Sequence, residues 1–176
     1  MNYGISISGF GGQGVLFIGR LLMEAGFLEG KEVTWLPAYS AEKRGGVCSC
    51  FVNIADERIG SIFITHPDIA VAMNPAAWEL LEPEVRSGGL LIANQSLIKS
   101  KSKRPDIKTV YVPTHELAKE IGDESVCNLI ALGAVLANVQ VVTATGIIKV
   151  LNKMLSRDKA HLERNKAALL RGCEFS

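Results

Sequence analysis

The 176-residue chain lacks both the charge excess and the aromatic content that nucleic-acid-binding proteins use. Its formal net charge is +1, and aromatic residues make up only 6% of the sequence. A near-neutral chain has no strong field to attract nucleic acid or an anionic membrane surface. Few aromatic side chains also leave little surface for stacking unpaired bases. We therefore expect neither a nucleic-acid nor a membrane partner.

Long apolar runs are missing too, although hydrophobic residues make up 48% of the chain. The longest run, residues 129–142, is interrupted by Asn138 and Gln140, whereas a membrane-spanning helix needs about 20 apolar residues. An apolar strand pattern begins at Tyr3 without the basic and apolar regions of a signal peptide. We expect a cytoplasmic protein in which residues 1–176 form a single domain.

Recognisable metal and nucleophile motifs are absent from the sequence. Cys48 and Cys50 share one face of a strand pattern, but no second cysteine pair or nearby histidine completes a metal site. We interpret these two, with Cys127 and Cys173, as structural thiols, because disulfides are rare in a reducing cytosol and free cysteine packs like a small hydrophobic residue. The histidines lie far apart, and no G-x-S-x-G or H-E-x-x-H motif occurs. We predict no catalytic residue and no metal site.

What the sequence does contain is a glycine-rich turn. It lies between a strand pattern at residues 3–8 and a helical pattern at residues 13–29. The turn consists of Gly9, Gly11, Gly12, Gln13 and Gly14. The G-x-G-x-x-G spacing brings backbone N–H groups close to a ligand, and the following helix N-terminus favours anions. The same spacing also serves strand–helix packing without any ligand.

A dinucleotide site needs a further acidic residue at the end of the second strand, where it binds the ribose hydroxyls. The second strand pattern, residues 33–36, contains no Asp or Glu, and Glu29 and Glu32 lie at its opposite end. NAD or FAD binding is therefore disfavoured. A stand-alone reductase of the Rossmann type is kept as the alternative from another functional class.

The remaining chain alternates strand and helix patterns. Strands are predicted at residues 47–54, 58–64, 69–73, 90–94 and 108–112, with the first two paired antiparallel. Helices are predicted from Pro75, at 116–121 with Thr114 as cap, at 128–139, at 145–154 and at 157–170. This order predicts an α/β fold, a Rossmann-like three-layer sandwich with a mostly parallel sheet and a helical C-terminal third. Ligands of such sheets bind beyond the carboxyl ends of the strands.

A second unusual segment follows the second strand. Its candidate site residues are Tyr39, Glu42, Arg44, Gly45 and Gly46. The guanidinium of Arg44 is suited to binding an oxyanion or a carboxylate through two hydrogen bonds. The glycine pair allows close approach of the backbone. We predict that the segment forms a rim beside the glycine turn, and a solvated turn is the alternative.

These segments together resemble the gamma subunit of 2-oxoacid:ferredoxin oxidoreductases, and the 2-oxoglutarate branch of the family is most similar. Ser40-Ala41 departs from the family, whose members often have Gly-Pro there. The resemblance is carried by residues 8–15, 39–46, 59–61, 67–74, 88–96 and 127–133.

The resemblance implies a complex that oxidatively decarboxylates a 2-oxoacid to an acyl-CoA and passes electrons to ferredoxin. It implies alpha and beta subunits that bind thiamine diphosphate with Mg, and iron–sulfur clusters in the beta subunit and a ferredoxin-like delta subunit. The present chain would bind none of these groups alone and would be inactive in isolation. The glycine turn would contact coenzyme A or another subunit. A pyruvate, branched-chain 2-oxoacid or indolepyruvate enzyme and a homodimer stay open alternatives.

Overall fold

The computed structural model describes residues 1–39 and 47–176, with Tyr39 described by its backbone only. The strands are β1 (Asn2–Phe10), β2 (Glu32–Tyr39), β3 (Val47–Ala55), β4 (Ile69–Ala72), β5 (Leu90–Asn94) and β6 (Lys108–Val112). The helices are α1 (Val15–Leu28), α2 (Pro75–Leu81), α3 (Thr114–Ile121), α4 (Cys127–Asn138), α5 (Ala144–Met154) and α6 (Lys159–Gly172). Short 3₁₀ turns cover Glu82–Glu84 and Glu124–Val126.

The described strands form one sheet in the order β2-β3-β1-β4-β5-β6. The pairs β1–β4, β4–β5 and β5–β6 are parallel, whereas β3 is antiparallel to both β1 and β2. Every strand except β3 therefore runs in the same direction. The predicted α/β fold with a mostly parallel sheet and a helical C-terminal third is confirmed.

Two hydrophobic cores lie on opposite faces of this sheet. The larger core contains Ile5, Ile7 and Ile54 from the strands, together with the apolar faces of α1, α4, α5 and α6. The smaller core packs Trp78 of α2 against the other face, over β4 and β5. Helix α4 is an ordinary core helix, since every residue from Cys127 to Val135 is buried.

The predicted strand at residues 58–64 is wrong. The structure has no strand between Ala55 and Ile69, and this part of the chain is irregular with several bends. The hydrogen-bonding edges of β3 are both occupied, one by β1 and the other by β2. The segment after β3 therefore cannot form a hairpin with β3, its neighbour in sequence, although its composition is that of a strand.

Candidate functional site

The glycine turn lies at the carboxyl edge of the sheet, as the sequence predicted. Strand β1 ends at Phe10, and the parallel strands β4, β5 and β6 end beside it at the same edge. Gly9 is the last buried residue of β1, and a Cβ atom there would come within 2.9 Å of Met73 Cβ. A glycine at this position therefore allows β1 to pass close to the end of β4.

The side chain of Gln13 holds the turn in place. Its Oε1 accepts hydrogen bonds from Phe10 N–H at 2.7 Å and from Asn74 Nδ2 at 3.0 Å. Its Nε2 donates to the Met73 carbonyl at 3.1 Å. Gln13 therefore acts as a bridge between the ends of β1 and β4. The sequence singled out Gln13 only as a member of the turn and gave no sign of this role.

Buried asparagine side chains extend these hydrogen bonds along the carboxyl edge of the sheet. Asn94, at the end of β5, donates from Nδ2 to the Met73 carbonyl at 3.0 Å. Its Oδ1 accepts from Thr114 Oγ1 at 2.8 Å and from Ser96 N–H at 3.2 Å. Asn74, Asn94 and Thr114 are no more than 1% exposed. The ends of four parallel strands are thus joined by one hydrogen-bonded network at the candidate site.

The prediction that Thr114 caps α3 is wrong. The helix begins at Thr114 itself, Pro113 is its cap residue, and the cap makes no side-chain hydrogen bond. The Thr114 hydroxyl donates to Asn94 instead. A buried carboxamide from a strand distant in sequence is the partner here, so local sequence gives no signal of it.

Gly14 begins α1 in a conformation that requires glycine. Its φ is 71° and its ψ is 22°, in the left-handed region, and its carbonyl accepts from Phe17 and Ile18 N–H. Asn128 of α4 lies against it and donates from Nδ2 to the Gly14 carbonyl at 3.3 Å. A Cβ atom at Gly14 would collide with the Asn128 amide. Helix α1 therefore begins beside the carboxyl edge of the sheet, and the N-terminus of a helix is a position that favours an anion.

Two small clefts border the turn. One measures about 110 Å³ and is lined by Gly12, Gln13, Met73, His115, Glu124, Ser125 and Cys127. The other measures about 200 Å³ and lies beyond Gly14, with Phe17 and Asn128 in its wall. Sites that enclose a drug-sized ligand measure about 300–1,000 Å³. Each cleft therefore has room for only part of a large ligand.

Asp123 precedes Glu124 and Ser125 of the cleft wall and is held by hydrogen bonds. Asp123 accepts from Ser125 N–H at 2.9 Å and from Arg164 Nε at 2.8 Å. These hydrogen bonds, led by those from Ser125, lower the pKa of Asp123 to about 2. Burial raises the pKa of the Cys127 thiol, which keeps it protonated and a poor nucleophile.

The second predicted segment is described only at its ends. Tyr39 pairs with Cys48, and Cys48 pairs with Gly9, so the end of β2 and the start of β3 lie at the edge that carries the glycine turn. Glu42, Arg44, Gly45 and Gly46, as well as the side chain of Tyr39, lie outside the described residues. Their predicted rim position stays a prediction.

The cysteines are distributed through the structure rather than grouped. Cys50 is buried beneath α1, and burial raises its pKa to about 12. Cys127 begins α4, and Cys173 follows α6. Across residues 1–39 and 47–176, no three His, Cys, Asp or Glu side chains form a group able to hold a metal ion.

Two larger cavities lie away from the turn. A cavity of about 450 Å³ is bordered by Glu29, Lys31 and Thr143, but Glu29 accepts hydrogen bonds from Thr143 and Lys31 is paired with Asp56. A cavity of about 430 Å³ lies at the amino edge of β1, where Asp68 is paired with Arg86. The charged groups named here already have partners within the chain, so we prefer the carboxyl edge as the candidate site.

Comparison with models of protein families shows which family the chain belongs to. Residues 4–175 match the model described as pyruvate ferredoxin/flavodoxin oxidoreductase. The chain belongs to this family. The resemblance to gamma subunits of 2-oxoacid:ferredoxin oxidoreductases is thereby confirmed, and family membership leaves the NAD-dependent alternative without support.

Curated relatives of the oxidoreductase family differ in their named substrates and in length. The 2-oxoglutarate synthase subunit KorC of Methanocaldococcus jannaschii is 32% identical over 176 residues, covering 98% of this chain and 92% of the relative. The ketoisovalerate oxidoreductase subunit VorA of Methanothermobacter marburgensis is 39% identical over 133 residues, covering 76% of this chain and 28% of the relative. The chain thus corresponds to nearly all of one relative and to about a quarter of the other.

Two solved structures differ in chain length in the same way. The gamma subunit of a keto/oxoacid ferredoxin oxidoreductase from Geobacter sulfurreducens is 30% identical, with a TM-score of 0.83 and 96% of that chain covered. The 2-oxoglutarate:ferredoxin oxidoreductase from Magnetococcus marinus is 21% identical, with a TM-score of 0.89 and 30% of that chain covered. The fold therefore occurs both as a separate chain and within a longer one. None of the described helices is long and apolar enough to cross a membrane.

Proposed function

We propose that this chain is the gamma subunit of a multi-subunit 2-oxoacid:ferredoxin oxidoreductase. The complex decarboxylates a 2-oxoacid oxidatively, forms an acyl-CoA and passes the electrons to ferredoxin. The similarity over nearly the full length of separate gamma-type chains carries this proposal. Alpha and beta subunits bind thiamine diphosphate with Mg, and iron–sulfur clusters belong to the beta and delta subunits. The small clefts at the glycine turn support a role that is completed by other chains.

The proposed contribution of this chain is a contact with coenzyme A at the glycine turn, provided by Gly9, Gly11, Gly12, Gln13 and Gly14. The exposed positions of Gly11 and Gly12 and the N-terminus of α1 favour a phosphate group at this edge. The basic loop at residues 99–104 is less suited to this role. Arg104 is engaged by Asp106 and by the Glu82 carbonyl, and Lys101 lies over the Tyr111 ring.

The proposed substrate is 2-oxoglutarate, because KorC relatives match the chain over most of their length. A branched-chain 2-oxoacid is the second candidate, favoured by the 39% identity to a ketoisovalerate oxidoreductase subunit. In this proposal, the other subunits determine which of these two 2-oxoacids the complex uses. We also propose that the complex works in the cytoplasm.

Reconstitution tests the subunit assignment. The chain is co-expressed with the thiamine-binding and ferredoxin-like subunits of its source organism, and dye reduction is followed with coenzyme A and a panel of 2-oxoacids. We expect acyl-CoA formation by the complex and none by this chain alone. Turnover by the isolated chain, or tight NADH binding by it, contradicts the assignment.

Calorimetry on the assembled complex tests the coenzyme A contact. Gly12→Asp places a negative charge on the turn and is expected to weaken coenzyme A binding about tenfold or more. Gly30→Asp is the matched control: Gly30 also has a positive φ, also has open space around its Cβ position, and lies at the other end of α1. Equal affinities for the two assembled variants would exclude the turn as the binding site.

A further inference from the structure

The cavity of about 430 Å³ at the amino edge of the sheet lies far from the glycine turn. Gly4 of β1 and Asn53 of β3 border it on the strand side, and the loop at residues 59–66 borders it on the other. Gly4 and Phe10 lie on one strand and are about 20 Å apart at about 3.3 Å per residue. The volume is within the range of about 300–1,000 Å³ that small-molecule sites occupy. We call this space the amino-edge cavity.

Asn53 contributes an acceptor without a donor to the amino-edge cavity. On β3, Val52 and Ile54 enter the large core, so Asn53 lies on the opposite face of the sheet, which we call the outer face. Its Nδ2 donates to Thr34 Oγ1 at 2.9 Å and to the Ile62 carbonyl at 3.2 Å, which uses both N–H groups. Asn53 is only 7% exposed, yet its Oδ1 accepts no hydrogen bond from the part of the chain that the structure describes. A buried amide oxygen is costly unless a ligand or a water molecule donates to it.

Arg86 contributes donors without an acceptor to the same cavity. Its Nε donates to Asp68 Oδ1 at 2.6 Å, and Asp68 Oδ2 accepts from Gly4 N–H at 2.5 Å. The guanidinium is therefore held at one end, and its two terminal nitrogens have no acceptor within the described ranges. The terminal N–H groups of arginine fit a carboxylate through two parallel hydrogen bonds.

The charges around the amino-edge cavity restrict the kind of anion that fits. Its described wall contains the ionisable residues His66, Asp68 and Arg86. The Asp68 carboxylate balances the Arg86 guanidinium, and the Glu84 carboxylate lies 3.7 Å from His66 Nδ1. A phosphate with two negative charges would be repelled by both carboxylates, whereas a single carboxylate meets the free end of Arg86. The cavity therefore favours a monocarboxylate.

The spacing of Asn53 and Arg86 determines the length of the ligand. Asn53 pairs in register with Gly4, and consecutive hydrogen bonds join Gly4 to Asp68 and Asp68 to Arg86. One strand spacing and these two contacts place Asn53 Oδ1 and the end of Arg86 about 10 Å apart. A ligand that makes a hydrogen bond of about 3 Å at each end then has its donor and its carboxylate about 4 Å apart. The two groups of the ligand are thus separated by several bonds.

We propose that the amino-edge cavity binds a small monocarboxylic acid with a hydroxyl or amino group several bonds from its carboxylate. The carboxylate accepts from the terminal N–H groups of Arg86, and the hydroxyl or amino group donates to Asn53 Oδ1. Ile59, Phe63 and Ile64 also border the cavity and contact the carbon chain between these two ends. The site is separate from the glycine turn, so this inference does not rest on the proposed function.

Four matched acids test the site by nuclear magnetic resonance titration of the full chain. 4-Hydroxybutyrate and 4-aminobutyrate carry the donor at the far end, 2-hydroxybutyrate carries it beside the carboxylate, and butyrate has none. We expect at least one 4-substituted acid to bind about threefold or more tightly than both butyrate and 2-hydroxybutyrate, because it supplies a donor to Asn53. Equal binding of all four acids, or tighter binding of inorganic phosphate, overturns the inference.

Two arginine variants test the carboxylate contact. Arg86→Met is expected to weaken binding of the preferred acid about tenfold or more. Arg58→Met is the matched control, because Arg58 is exposed and does not border the cavity, and we expect it to bind like the unmodified chain. Asn53→Leu should abolish the preference for the 4-substituted acid over butyrate. A preference that persists in folded Asn53→Leu overturns the assignment of the donor contact.

A variant that fills the cavity tests the site without removing a hydrogen bond. Gly60 borders the cavity, has no positive φ, and a Cβ atom there would meet no atom within 4 Å. Gly60→Trp is therefore expected to fold and to abolish binding of the acid. The melting temperature of each variant shows whether it is folded, and Gly60→Trp decides the question if Arg86→Met is unfolded. Unchanged binding by folded Gly60→Trp overturns the inference.

Discussion

The two halves of the sheet are built differently. On the parallel half, β1, β4, β5 and β6 have helices on both faces, and buried amides join their carboxyl ends. On the antiparallel half, β2 and β3 pack against α1 and leave Leu36 and Phe51 partly exposed. The chain by itself therefore builds only part of its candidate site. It fixes the backbone of the turn internally and leaves part of the apolar surface of β2 and β3 exposed.

Truncation of one side chain on each face of the antiparallel half tests this difference most strongly. Ile54→Ala opens a cavity in the large core, where Ile54 is fully buried, and is expected to lower the free energy of unfolding by about 4 kcal/mol. Leu36→Ala removes a partly exposed side chain and is expected to cost about 1 kcal/mol. Urea unfolding of the isolated chain measures both. Equal losses would mean that the outer face is already packed as a core.

Replacing one asparagine in each half compares their polar contacts. Asn94→Leu leaves the Thr114 hydroxyl and the Ser96 N–H without their acceptor and is expected to cost about 3 kcal/mol. Asn53 is 7% exposed, but it donates to the partly exposed Thr34 and to the carbonyl of the exposed Ile62. Water can replace these bonds to the two partners, so Asn53→Leu has an expected cost of about 1 kcal/mol. Denaturant unfolding provides both values. A larger loss for Asn53→Leu would mean that the antiparallel half depends more on its polar contacts than the parallel half does.

Within the glycine turn, two substitutions distinguish a glycine that the backbone conformation requires from one that is only exposed. Gly14→Ala forces a left-handed φ on alanine and pushes against Asn128, so we expect a loss of about 2 kcal/mol. Gly11→Ala meets no atom within 4 Å and has no positive φ, so we expect almost no change. Thermal melting distinguishes the two variants. A neutral Gly14→Ala would show that Asn128 does not fix the turn.

The smallest expected effect is a pH dependence beside the clefts. The pKa of Asp123 is about 2 in the folded chain, below its ordinary value of 3.8, so its ionised form stabilises the fold above about pH 4. This contribution, about 1 kcal/mol after solvent screening, is lost as the pH falls toward 2. The stability difference between the unmodified chain and Asp123→Asn should shrink over that range. A difference that stays constant from pH 6 to pH 2 would show that the Asp123 charge contributes nothing.

Much of the fold was predictable because strands and helices are encoded in local patterns. Strands β4, β5 and β6 and the glycine turn before α1 follow from apolar runs and from glycine spacing. The segment at residues 58–64 was predicted wrongly because strand composition does not show that both edges of the preceding strand, β3, are already paired. The single domain, the glycine-turn contact and the rim position of Arg44 stay predictions.

For the candidate site too, the sequence did not predict which side chains contact each other. Gln13 and Thr114 were each noted for a local reason, as a turn residue and as a helix cap. Their partners, Asn74 and Asn94, lie 61 and 20 residues away. No spacing rule connects such residues, because the parallel crossovers that bring strand ends together are set by the whole sheet.

By itself, the sequence determined the order of elements apart from residues 58–64, the backbone freedom at Gly14 and the resemblance to its family. These features depend on neighbouring residues and on motif identity. Only the tertiary structure decided which strand edges are free, which amides meet at the carboxyl edge and which face of β2 and β3 has no helix. Those features depend on pairing between distant segments. The buried amide network gains its stability only when all four strand ends are in place.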